Sequence, residues 1–212
     1  MDTPQFTLRT VDAAETDRVA EFLGPILFEI PLFAWLAGAE EDAVLRRWIV
    51  DLQLVDAIAG GNVHAAEVGG ELVGLAIWTP PGWASTGVPV DFHDRSVELL
   101  TTRPDALQRL AEMNRIAGEH ELAPGDACVH LAALAPGQRG ARILEALVEP
   151  AFAAARAAGV GVSTMTSVPA FTAHIAARFD AHQVDEFVVA DTTVWIYRWP
   201  GAEPLNVSDG LQ

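Results

Sequence analysis

The sequence predicts a mixed α/β domain with a central sheet flanked by helices, and three observations carry that prediction. Apolar residues change period along the chain, alternating in short runs bounded by turn residues and recurring every three or four positions in longer ones. Two short runs, Val63 to Val68 and Glu71 to Thr79, flank Gly69-Gly70, a tight hairpin signal. A third, Asp126 to Ala135, leads through Pro136 to Gly140 into a helical pattern from Ile143 to Ala158.

The remaining elements follow in order. Phe6 to Val11 alternates and reads as a first strand, after which Asp12 begins a turn. Val19, Phe22, Leu23, Ile26 and Leu27 give Ala13 to Phe28 helical spacing; Gly24-Pro25 predicts a kink or split, and Pro31 is expected to end the helix. Ala43 to Ala59 is an amphipathic helix closed by Gly60-Gly61. Pro80-Pro81-Gly82 breaks the sheet, and a polar stretch leads to a helical segment from Arg103 to Gly118. Gly161 to Thr166 reads as a strand and Pro169 to Arg178 as a short helix. Glu186 to Ala190 and Thr192 to Trp199 read as a closing hairpin over Asp191-Thr192. Residues 1–200 are expected to form a single domain, with 201–212 a loose polar tail.

Composition narrows the function. At 212 residues, half of them hydrophobic, the chain suits one compact domain with a sizeable core. Its 29 acidic and 13 basic residues give a net charge of −16, which repels nucleic-acid phosphates and anionic lipid surfaces, so neither is expected as a partner. A cationic or amine-bearing small molecule would be attracted, although acidity more often serves solubility. The single cysteine, Cys128, excludes a disulfide framework and fits a reducing compartment; inside an apolar strand it reads as a buried structural thiol. The amino terminus lacks a basic region followed by an apolar run, and a cytoplasmic location is expected. His64, His93, His120 and His182 show no ligand spacing with carboxylates or Cys128, so no metal is expected. Oligomeric state is open, a homodimer included.

The junction from Cys128 to Leu147 has the shape of an anion site. A strand running into a helix start leaves backbone N–H groups unpaired, with the positive end of the helix dipole behind them. This segment resembles the coenzyme A loop of the GNAT superfamily of N-acetyltransferases, with its Q/R-x-x-G-x-G/A pattern. Arg139 and Gly140 match, whereas Arg142 and Leu144 stand where two small residues belong. The order of elements matches that fold from end to end. Within the superfamily, Ala76-Ile77-Trp78-Thr79-Pro80, Leu147-Val148-Glu149-Pro150 and Thr166-Ser167-Val168-Pro169 resemble the puromycin N-acetyltransferase type.

The resemblance implies a GNAT-like, splayed central sheet and acetyl coenzyme A as donor, held by Leu134, Arg139, Gly140, Ala141 and Arg142. Arg142 has two readings: it could pair with a diphosphate or lie across its groove. The resemblance also places Phe33, Trp35, Trp78 and Trp83 at an acceptor pocket, an aromatic lining suited to a flat or cationic amine. The tyrosine that protonates the departing thiolate in this family is Ile175 here, the asparagine before it is Phe171, and the glycine-phenylalanine pair is Phe179-Asp180.

Two histidines are candidates for the acid–base work. His130 interrupts an apolar strand just upstream of the loop, and it reads equally as a base for an ammonium or as a core histidine bonded to backbone. His174 adjoins the vacant acid position, but helical neighbours point about 100° apart, and a surface histidine is the simpler reading. Glu67 and Glu71 flank the hairpin turn with exposure as the default, and Trp48 is read as core. The function expected is an acyl-coenzyme A dependent N-acetyltransferase acting on a small amine. The alternative is a GNAT-fold protein that has abandoned acetyl coenzyme A and uses the cleft for another reaction or for binding.

Overall fold

The structure, a computed structural model, describes residues 6–39, 41–85, 87–120, 122–123, 125–138, 142–172 and 180–200. Its strands are β1 (Thr7–Thr10), β2 (Val63–Val68), β3 (Glu71–Thr79), β4 (Ala127–Leu134), β5 (Val162–Thr166), β6 (His182–Val189) and β7 (Thr192–Trp199). They form one sheet in the order β1-β2-β3-β4-β5-β7-β6, in which β4 and β5 are parallel and every other pair is antiparallel. The mixed sheet flanked by helices is therefore as predicted, with β4 at its centre.

The helices are α1 (Thr16–Leu27), α2 (Pro31–Ala37), α3 (Ala43–Ala59), α4 (Val90–Thr101), α5 (Pro104–Ala117), α6 (Arg142–Ala158) and the single turn α7 (Pro169–Phe171). Apolar faces decide the layers. Val19, Leu23 and Leu27 of α1 and Ile49 and Leu54 of α3 bury against Val63, Ala65, Leu75, Ile77 and Leu131 of the sheet. On the opposite face α6 presents Ile143, Leu147, Ala151 and Ala155, one every four residues, against the other side chains of β2 to β5. Gly74 of β3 sits under this helix: a Cβ there would lie 2.8 Å from both Leu134 Cδ2 and Leu147 Cδ1, so its absence sets how closely α6 approaches.

Several boundaries differ from the sequence reading, each for a physical reason. Pro31 begins a helix instead of ending one, because proline at the first helical position lacks an N–H that would have no partner there anyway. The split in the first helical segment falls at a 3₁₀ turn over Ala13–Glu15, while Pro25 is carried inside α1 near its end. The polar stretch after Pro81 contains α4, which fully buries Phe92 and only partly covers Leu99 and Leu100, so its apolar stripe is short. The closing hairpin turns at Ala190-Asp191, with Ala190 at φ 50°, and β6 starts earlier, at His182. No single described helix is long and apolar enough to cross a membrane. Residues 201–212 lie outside the described residues.

Candidate functional site

The site is built where β4 and β5 part. Their parallel register covers Ala127↔Val162, Cys128↔Ser163 and Val129↔Thr164, and there it stops, although β4 continues to Leu134. The last rung is closed by a side chain: the Thr164 hydroxyl donates to the Val129 carbonyl at 2.7 Å. The first turn of α2 is tied to the chain beyond β5, since the Leu32 N–H donates to Ser167 Oγ at 3.2 Å. Helices α1 and α2 meet there at 104°.

A β-bulge sets what faces this opening. Ile77 pairs with Leu131 and Trp78 with Val129, which leaves His130 as the unmatched residue of β4. Beyond the bulge the Ala135 N–H donates to the Val73 carbonyl, so Leu131 and Ala133 also turn their N–H groups toward β3. The alternation aims the N–H groups of Ala132 and Leu134 at the gap where β5 no longer runs. Ala132 is exposed, an unusual state for a residue in the middle of a central strand. The sequence reading names Leu134 and not Ala132, because a bulge leaves no compositional mark in a run of alanines and leucines.

His130 is solvent-accessible yet crowded by protein, and this desolvation lowers its pKa from the usual histidine value. Its Nε2 lies 3.0 Å from Thr79 Oγ1 and its Nδ1 lies 3.6 Å from Cys128 Sγ. Burial pushes the Cys128 thiol up to about 12, so it stays protonated and is not a nucleophile at neutral pH. Among the described residues the hydrogen-bond partners of the His130 ring are side chains, Thr79 and Cys128.

The four aromatic candidates fall into three places. Phe33 and Trp35, on α2, pack against the main core, and Trp35 also reaches the cluster of β6 and β7 beside Leu32 and Met165. Trp78 lies on the opposite face of the sheet, against Val148 and Phe152 and edge-on to His64 at 5.7 Å, with its indole N–H unpartnered. Trp83 sits by the end of α3; with the Asn62 amide turned so that its oxygen faces the indole, Trp83 Nε1 donates to it at 3.1 Å. Alternation along β3 explains Trp78: Leu75 and Ile77 face α1 and α3, so Ala76 and Trp78 face α6.

At the start of α6, Arg142 is exposed, Ile143 is buried and Leu144 is half-buried. Arg139, Gly140, Ala141, His174, Ile175 and Phe179 lie outside the described residues. The single tyrosine, Tyr197, pairs with Thr164 on the very rung where the strands part; it is buried, packs edge-on against Phe171, and burial raises its pKa. Glu67 is taken up far from the opening by Arg9 at 2.7 Å and Arg18 at 2.8 Å, while Glu71 is exposed. Among the described residues no three His, Cys, Asp or Glu side chains converge as a metal site would require.

No family model matches the chain, and no curated protein matches its sequence. Solved structures do match in shape. The Drosophila melanogaster polyamine N-acetyltransferase, an enzyme that catalyses the formation of N-acetylagmatine, superposes with a TM-score of 0.60 at 16% identity over 92% of this chain and 100% of that one. Arylalkylamine N-acetyltransferase 2 from Aedes aegypti gives 0.62 at 13% identity over 92% and 99%. A Corynebacterium glutamicum protein described as histone acetyltransferase HPA2 and related acetyltransferase gives 0.57 at 16% over 94% and 98%. The chain has the fold of the GNAT acetyltransferases, and its neighbours in shape include acetyltransferases of amines.

Proposed function

We propose that the protein is an acyl-coenzyme A dependent N-acetyltransferase acting on a small amine. The observation that carries this reading is the gap beyond Val129 and Thr164, toward which the N–H groups of Ala132 and Leu134 point, with His130 beside it. Bound there, acetyl coenzyme A supplies an acyl group activated as a thioester. The amides of Ala132 and Leu134 donate hydrogen bonds to its carbonyl and to the pantetheine arm, dipoles already in place for the charge that builds on the acyl oxygen. His130, whose pKa burial lowers, would take one proton from the incoming ammonium so that the amine can attack; as the C–N bond forms the C–S bond breaks, the departing thiolate takes up the second proton that the nitrogen sheds, and the imidazolium returns its own to solvent. Arg139, Gly140, Ala141 and Arg142 would meet the diphosphate at the start of α6, where the helix dipole favours an anion. Of the aromatic candidates, Phe33 and Trp35 are the ones kept for the acceptor, because α2, which carries them, is tied by its first turn to Ser167, just beyond β5.

A net charge of −16 and the amine-acetylating neighbours support a cationic acceptor, and the three motifs that resemble the puromycin N-acetyltransferase type support an alkylamine carrying an aromatic group within that class. One buried thiol suits the cytoplasm, which is part of the same reading.

Calorimetry with acetyl coenzyme A tests the proposal: saturable heat is expected, and its absence at millimolar ligand would overturn donor binding. Arg139→Ala should then weaken the affinity by about 10-fold or more, since a charge-assisted phosphate bond contributes roughly 1.5–3 kcal/mol. The second reading, a cleft turned to another use, draws on the side chains of Arg142 and Leu144 in the first turn of α6. Under that reading the wild type gives no heat, and Leu144→Gly restores binding by reopening space for the diphosphate.

A further inference from the structure

Among the described residues His130 has two side-chain partners, and they are unequal. The contact of Nε2 with Thr79 Oγ1 is a full-strength hydrogen bond at 3.0 Å, whereas that of Nδ1 with the Cys128 thiol is a weak sulfur contact at 3.6 Å. Thr79 is the last residue of β3 and pairs with Cys128 directly across the ladder, so all three side chains project from the same face. Thr79 is buried, and the ladder fixes its place; His130, being the bulged residue, has no rung of its own to hold its ring.

We propose that Thr79 is a positioning residue for His130: its Oγ1 accepts a hydrogen bond from Nε2–H, which fixes the tautomer and leaves Nδ1, met only by the weak contact with the Cys128 thiol among the described residues, as the nitrogen that takes a proton. A hydroxyl oxygen in this role favours the imidazolium over the neutral ring, because the bond from Nε2 strengthens when the ring is charged. It thereby offsets part of the burial that lowers the His130 pKa. Burial is the sole cause of that lowering among the described residues, no charged side chain contributes to it, and the one titratable group in contact is the Cys128 thiol, which stays protonated. Proton transfer is balanced within the site: the ammonium loses a proton to Nδ1, and the ring holds it as imidazolium with Nε2–H still on Thr79.

The catalytic part of this inference rests on the acetyltransferase reading; the tautomer does not. The test is nitrogen NMR of the intact chain labelled at histidine, with His130→Gln to assign the signals. At pH 7.5 the wild type is expected to show His130 with Nε2 protonated and Nδ1 bare. Thr79→Val should abolish that preference and lower the His130 titration midpoint by about 0.5–1 pH unit, while Thr79→Ser restores both. In turnover, the acid limb of kcat/KM should move to lower pH in Thr79→Val with the KM for acetyl coenzyme A unchanged. A wild-type ring protonated on Nδ1, or a valine variant that titrates like the serine one, would overturn the proposal. Should Thr79→Val fail to fold, the wild-type tautomer and the serine variant still decide it. The expected tautomer in a chain that binds no acetyl coenzyme A would retain the positioning role and remove the function.

Discussion

At position 130 the loss of one ladder partner decides the character of two neighbours. The bulge that leaves His130 unmatched turns the following N–H groups of β4 so that Ala132 and Leu134 face the gap. Replacing the ring by a side chain that cannot accept a proton at neutral pH, His130→Gln, is expected to reduce kcat about 100-fold with an unchanged circular dichroism spectrum. The lowered pKa also has a consequence for stability. A folded-state pKa below that of the unfolded chain means that the unfolded state takes up protons first as pH falls, so the stability contributed above pH 6.5 is lost on acidification. His64, half-buried and lowered by the same cause, acts in the same direction. The urea midpoint should therefore fall between pH 7.5 and pH 5, and His130→Gln should flatten that dependence.

Helices and strands show what the sequence made visible. The β2–β3 hairpin and α3 were legible to the residue, the first because Gly69-Gly70 dictates its turn and the second because Asp42 caps it while Gly60 follows it. α2 was hidden by a proline that works equally well as a terminator and a starter, and α4 by having one fully buried residue. In the site, His130 stood out as a polar residue in an apolar run. Ala132 did not, nor did the parting of β4 from β5, because both depend on which strand lies alongside. Two substitutions probe the elements that frame the cleft. Gly74→Val should cost about 1–3 kcal/mol in urea unfolding, because the new methyl groups meet Leu134 and Leu147 beneath α6, and should weaken acetyl coenzyme A binding as the start of that helix moves. Arg109 donates through Nε to the Leu36 carbonyl at 3.0 Å and through Nη2 to that of Ala37 at 3.4 Å, closing the carboxyl end of α2. Arg109→Met should raise the KM for the amine several-fold and leave donor affinity as it was, as titration of each substrate would show.

For the molecule as a whole, the excess of negative charge acts beyond the site. It concentrates cationic amines around the protein, an effect that salt screens over about 10 Å at 0.1 M. Steady-state assays between 25 and 300 mM salt, values on the order of those that span one Debye regime to the next, should show KM rising for a dicationic amine. A neutral arylamine should show no such trend. Identical salt dependence for both would remove charge from the recognition of the acceptor.

The hydroxyl of Thr164 on the carbonyl of Val129 carries one more implication. Because that bond ends the ladder without leaving an acceptor bare, the fork in the sheet is a resting feature, and a ligand need not wedge it apart. Hydrogen exchange at Ala132 and Leu134 should then be fast in the free protein and slow once a thioester lies along them, while Val129 exchanges at the same pace in both.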